Sequence, residues 1–159
     1  MNIFVTHPDP RISAQVLPDK HVVKMPLECC QMLAIIYSGW YYDWEPLPKK
    51  DGGYYATAKG AFRNHPCTKW AGKNIYNTAW LIQHGCCLSS EYEHRYGKQH
   101  SCASTLFHAK KVFHRRTGKQ SCAIVWRKSS QGQCPMCTSL TKPSQPMMHT
   151  NNTLHQNPG

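Results

Sequence analysis

The sequence predicts an all-α fold: a compact single domain of a few helices around a central buried helix, followed by a disordered C-terminal tail. Apolar residues recur at helical spacing from Asp19 to about Tyr37, through Val22, Val23, Met25, Leu27, Met32, Leu33, Ile35 and Ile36. A second broad apolar face (Trp70, Ile75, Ala79, Trp80, Ile82, Cys86, Cys87, Tyr92, Tyr96) runs between His65-Pro66 and Gly97. The chain is 159 residues long, which suits one core and excludes two large domains.

Taken in order, residues 1–18 hold Pro8, Pro10 and Pro18, so an extended or turning lead-in is expected, with at most a short helix around Ile12 to Val16. Asp19 opens the central helix and Ser38-Gly39 stops it. Pro26 lies inside; it lacks an N–H and its ring presses on the preceding turn, so a bend is expected there. Residues 39–64 combine an aromatic cluster (Trp40, Tyr41, Tyr42, Trp44) with Pro46, Pro48 and Asp51-Gly52-Gly53, the pattern of a long loop with one short helix near Tyr55–Phe62. His65-Pro66 opens the second helical stretch and Gly97 closes it, with Gly72 and Gly85 as weak points. A further helical segment is expected at Ser101–Phe113. Beyond Thr117 the apolar content is too low to offset the entropy of ordering, so the domain is drawn at 1–115 and a disordered tail at 116–159.

Charge narrows the function classes. Lys and Arg number 19 against 8 Asp and Glu, a net charge of +11. The first 94 residues carry nine basic and eight acidic groups, whereas the remainder carry ten basic groups and no acid. Such a balance points to nucleic acid, because Lys and Arg neutralise phosphates and release counterions; a basic surface with no particular partner is the plain alternative. No run approaches the length of a membrane span, and the first residues lack a basic start and an apolar signal core, so neither insertion nor export is expected. The nine cysteines are then read as reduced thiols of a cytosolic protein.

Three constellations can carry chemistry. On a helix, His21, Lys24, Glu28 and Gln31 share one stripe of an otherwise apolar element. Either the stripe faces solvent with a Lys24–Glu28 pair, or it holds a carboxylate beside cations at the floor of a basic cleft. Arg63-Asn64-His65-Pro66 lies where a loop feeds a helix and suits a phosphate, with Asn64 as a simple N-cap the alternative. The run from Glu91 to His100, with Arg95 and Lys98, mixes basic and aromatic groups as nucleic-acid surfaces do, and as a solvated helix end does. Cys134-Pro135-Met136-Cys137 is a C-x-x-C, the basis of an alternative as a small zinc-binding protein. It has no second pair at matched spacing, so no metal and no cofactor is assigned.

Asn2-Ile3-Phe4, the block Asp19-Lys20-His21-Val22-Val23-Lys24-Met25-Pro26-Leu27-Glu28, the block Asn64-His65-Pro66-Cys67-Thr68-Lys69-Trp70 and the run Glu91-Tyr92-Glu93-His94-Arg95-Tyr96-Gly97-Lys98 occur in an order that resembles phage-encoded members of the pyrimidine-dimer DNA glycosylases of the endonuclease V type. The resemblance spans roughly residues 1–100. It implies an all-α domain that binds duplex DNA in the cytoplasm of the infected host, extrudes a nucleotide, and cleaves a glycosidic bond and then the strand at the abasic site, with no obligate protein partner. It also implies a nucleophilic α-amine at the mature N-terminus, hence Met1 or Asn2, and a catalytic Glu28, with His21, Lys24, Arg63, Asn64, His65, Arg95 and Lys98 toward DNA. Free α-amines titrate at about pH 8, so a useful fraction is nucleophilic near neutrality. The chain departs from the family in having Asn2 after Met1 and Leu27 before Glu28. A DNA-binding protein of the same fold without catalysis is the alternative reading. Allowed codons for Gln133–His149 also spell, in a shifted frame, an acidic helix-compatible segment like the family's continuation, so the tail is read as a candidate frameshift.

Overall fold

The computed structural model describes residues 1–119, and these are helical, with five α-helices, one 3₁₀ turn and no strand among them. Helix α1 spans Pro10–Gln15; it begins slightly earlier than expected because the Asp9 side chain accepts the Arg11 N–H and Pro10 supplies the first turn. Helix α2 is the central helix, Asp19–Tyr37, and its residues from Met32 to Tyr37 are all buried. Pro26 lies inside it. A proline leaves the carbonyl four residues back without its usual donor, and the neighbouring Val23 carbonyl accepts a bond from His100 Nε2 at 3.0 Å.

The aromatic loop contains a 3₁₀ turn at Ala56–Lys59 and packs back on α2, where Thr57 Oγ1 donates to the Gln31 carbonyl at 2.9 Å. The expected single stretch from His65 to Gly97 is two helices. Helix α3 is Pro66–Gly72 and α4 is Ile75–Tyr96. The break follows Gly72, and Asn74 restarts the chain by accepting the N–H groups of Tyr76 and Asn77 at 3.0 and 2.9 Å. Gly85 does not interrupt α4. A Cβ there would lie 2.7 Å from Leu106 Cδ2 and 3.2 Å from Cys29 Cβ, so glycine is what permits the close crossing of α4 with α2 and with the helix that carries Leu106. Gly97 ends α4 in the left-handed region, with φ +64°.

Helix α5 spans Ala103–Thr117, two residues past the boundary drawn at 115. It closes the core through Leu106, Ala109, Val112 and Phe113, and Tyr37 Oη donates to the Ala109 carbonyl at 2.8 Å. The six cysteines among the described residues are free thiols. No helix among these residues is long and apolar enough to cross a membrane. The remainder of the expected tail, with Cys134, Cys137 and the shifted-frame segment, lies outside the described residues.

Candidate active site

The site is built on α2 by the N-terminal segment. Ile3 and Val5 bury their side chains in the core, and in an extended chain the alternate residues face the other way. Those residues meet the polar stripe of α2. The Asn2 N–H donates to Glu28 Oε2 at 2.6 Å, and the Phe4 ring lies 4.4 Å from the His21 ring. Because Asn2 meets the later residue and Phe4 the earlier one, the segment runs antiparallel to α2. Ser13 anchors its far end, donating to the Phe4 carbonyl and accepting from the Thr6 N–H, both at 3.2 Å.

Glu28 is therefore covered, at 6 % exposure, and the solvent-facing reading of the stripe does not hold for it. A buried carboxylate demands compensation. Here it comes from the short bond to Asn2 and from Lys24 Nζ, 3.3 Å from Oε1, whose own side chain remains largely in water. His21 Nδ1 is buried without a hydrogen-bond partner among the described residues.

His65 joins this group electrostatically. It, and not Asn64, caps α3: His65 Nδ1 accepts the Cys67 N–H at 3.2 Å. In the neutral ring the proton then sits on Nε2. Burial pushes the His65 pKa below its ordinary value, the amine of Met1 pushes it further down, and the charge of Glu28 pulls it back up. The Met1 amine, Glu28 and His65 thus share one electrostatic environment. Arg63 and Asn64 are exposed just before His65, and the Arg63 guanidinium carbon lies 4.3 Å from the centre of the Trp40 ring.

Arg95 and Lys98 are elsewhere. Arg95 binds Glu91 Oε1 at 2.7 Å, Asp19 Oδ1 at 2.8 Å, and the carbonyls of Leu17 and Gln15 at 3.0 and 2.8 Å. Its guanidinium ties the last turn of α4 to the connection between α1 and α2. Asp19 begins α2, nine residues before Glu28, which is about 13 Å of helix. Lys98 is exposed just past Gly97. No group of three His, Cys, Asp or Glu side chains among the described residues is arranged to hold a metal ion.

In chemical terms the arrangement presents a backbone nitrogen and the Lys24 ammonium against a shielded carboxylate, with the His65 imidazole within electrostatic reach of both that carboxylate and the terminal amine. No curated protein and no solved structure matches the chain. A family model described as pyrimidine dimer DNA glycosylase matches residues 1–104, about two thirds of the 159 residues, and this span contains α1 to α4 and every residue of the group around Glu28. The chain therefore belongs to the pyrimidine dimer DNA glycosylase family.

Proposed function

We propose that the protein is a DNA glycosylase with associated abasic-site lyase action on damaged or modified pyrimidines in duplex DNA, and that its nucleophile is the N-terminal α-amine beside Glu28. The observation that carries this is the 2.6 Å contact between Asn2 N and Glu28 Oε2. Removal of Met1 converts that same nitrogen into an α-amine already against the carboxylate. With Met1 retained, the amine is one residue away and still near enough to act on His65.

The amine attacks C1′ as the C1′–N bond to the base breaks, and the base leaves with the electron pair and takes up a proton. The attacking amine then loses one proton, and as the sugar ring opens O4′ leaves C1′ with its electron pair and takes up a proton, which leaves a protonated iminium at C1′. Glu28 offsets its charge and accepts the C2′ proton, and the electron pair released at C2′ expels the 3′ phosphate. His21, Lys24, Arg63, Asn64 and His65 contact the backbone around the lesion. Lys98 adds an exposed cation just past Gly97, whereas Arg95, neutralised by Glu91 and Asp19, serves DNA only by holding the end of α4 in place. We place the protein with phage-encoded members, acting in the cytoplasm of an infected bacterium.

Borohydride trapping on abasic duplex DNA tests the proposal. The wild type is expected to form a covalent complex. Glu28→Gln keeps an acceptor for the Asn2 N–H but lowers strand cleavage by roughly 100-fold or more. The packing of Met1 against the core favours a second reading, a DNA-binding protein of the same fold without catalysis. It predicts salt-sensitive duplex binding indifferent to Glu28→Gln and no trapped species, and a folded wild type with that behaviour decides for it.

A further inference from the structure

The loop between the 3₁₀ turn and α3 holds Phe62 in a conformation that its own side chain disfavours. Phe62 has φ +62° and is 58 % exposed. A left-handed backbone at a bulky residue costs free energy, and so does a phenyl ring left in water; neither persists unless the surroundings enforce it. Here they do. Gly60, at φ +99°, lets the chain pass so close to Trp40 that a Cβ would lie 2.6 Å from the indole. Arg63 stacks over that indole, and its Nη1 and backbone N both donate to the Gly60 carbonyl at 3.2 Å. Tyr41 Oη donates to the Arg63 carbonyl at 2.7 Å, and the Phe62 carbonyl accepts the His65 N–H at 3.0 Å. The loop is a braced finger with an aromatic tip.

Its position matters. The bond between the Phe62 carbonyl and the His65 N–H closes a turn, which keeps their Cα atoms within about 7 Å. That is roughly two base steps from the imidazole that senses Glu28 and the terminal amine. A nucleotide can reach a buried carboxylate only by leaving the stack, and proteins commonly meet that cost by inserting an apolar side chain.

We propose that Phe62 is a wedge that enters the base stack beside the lesion, braced from below by Trp40 and Arg63, and that the stacked bases of duplex DNA are its ligand. This rests on the reading of the protein as a glycosylase of duplex DNA, and makes Phe62 a positioning residue.

The test uses a duplex with a tetrahydrofuran abasic analogue flanked by 2-aminopurine, together with borohydride trapping on abasic duplex and abasic single strand. Wild type raises the 2-aminopurine fluorescence. Phe62→Gly, in which glycine takes the left-handed backbone without strain, is expected to melt no lower than wild type, to lose most of that rise, and to show a ratio of duplex to single-strand trapping reduced roughly tenfold. Phe62→Tyr restores both. A Phe62→Gly protein that unstacks and cleaves duplex like wild type overturns the wedge alone. An effect confined to self-association without DNA assigns Phe62 to a protein contact and also overturns it. A folded wild type that binds no DNA overturns the glycosylase reading, and the wedge with it.

Discussion

The guanidinium of Arg95 meets two carboxylates and two carbonyls, and its removal leaves the Gln15 and Leu17 carbonyls without these donors. Arg95→Met is expected to lower stability by about 1–3 kcal/mol in urea unfolding while weakening DNA binding no more than the loss of one exposed charge. Arg95→Lys restores little, because a single ammonium cannot span the same fork of acceptors. The residue was visible in sequence as a basic group among aromatics, a pattern that does not distinguish a phosphate contact from an internal clamp. Glu28 shows the converse. Its place on a polar stripe was legible from spacing alone, but its burial follows from Asn2, 26 positions away in the chain, lying across it. Phe62 carried no signal of its own, since nothing in a phenylalanine announces a positive φ.

At the scale of elements, helix boundaries follow local chemistry. Asp9, Asn74 and Gly97 cap where side-chain acceptors and a left-handed glycine belong; of these only the Gly97 stop is expected from sequence, and the Asp9 and Asn74 caps come from the structure. The His65 cap was missed because asparagine is the better acceptor by type, and the choice between neighbours depends on how the loop enters the helix. Gly85 was misread as a weak point because glycine has two meanings in a helix, a break or a close approach. Gly85→Val is expected to lower stability by roughly 1–3 kcal/mol, as the added atoms press on Leu106 and Cys29 where α4 crosses its neighbours. Gly85→Ala is milder, since the gain in helix propensity, about 1 kcal/mol, works against the clash. Thermal and urea unfolding of the pair measures the difference.

For the whole molecule, the enclosed His84 sets an acid limit on stability. His84 is fully enclosed; it donates from Nδ1 to the Pro10 carbonyl at 3.2 Å and stacks on Trp80. Burial pushes its pKa down from 6.5 to about 4. As pH falls below 6.5 the unfolded chain takes up a proton that the folded ring refuses until about pH 4. The contribution of His84 is complete above 6.5, is lost progressively down to about 4, and amounts to roughly 3 kcal/mol. His65 and His114, whose pKa values are also lowered, act in the same direction, whereas His100, whose pKa is raised chiefly by its hydrogen bond with Cys102, acts against it. Urea titrations followed by tryptophan fluorescence at pH 7 and pH 4.5 should show the loss, and His84→Gln should flatten it. The positive charge is also redistributed by the fold. Seven of the ten basic residues after position 94 lie within the described residues, including Lys110, Lys111, Arg115 and Arg116 on α5, so most of the excess belongs to the helical domain rather than to the tail beyond it.

The sequence by itself determined the all-α class, the course of α2, the stop at Gly97, and the stripe of His21, Lys24 and Glu28. These depend on periodicity and on interactions a few residues apart, which the order of residues encodes directly. Only the tertiary structure decided that the stripe is covered by the N-terminus, that Arg95 is an internal clamp and that Phe62 stands on a braced turn. Those outcomes join positions 22 to 80 residues apart, as in the bonds from Tyr41 to Arg63 and from Arg95 to Gln15. Contacts at that separation are selected by the packing of the whole chain, because each is bought with the same folding entropy and none is favoured locally.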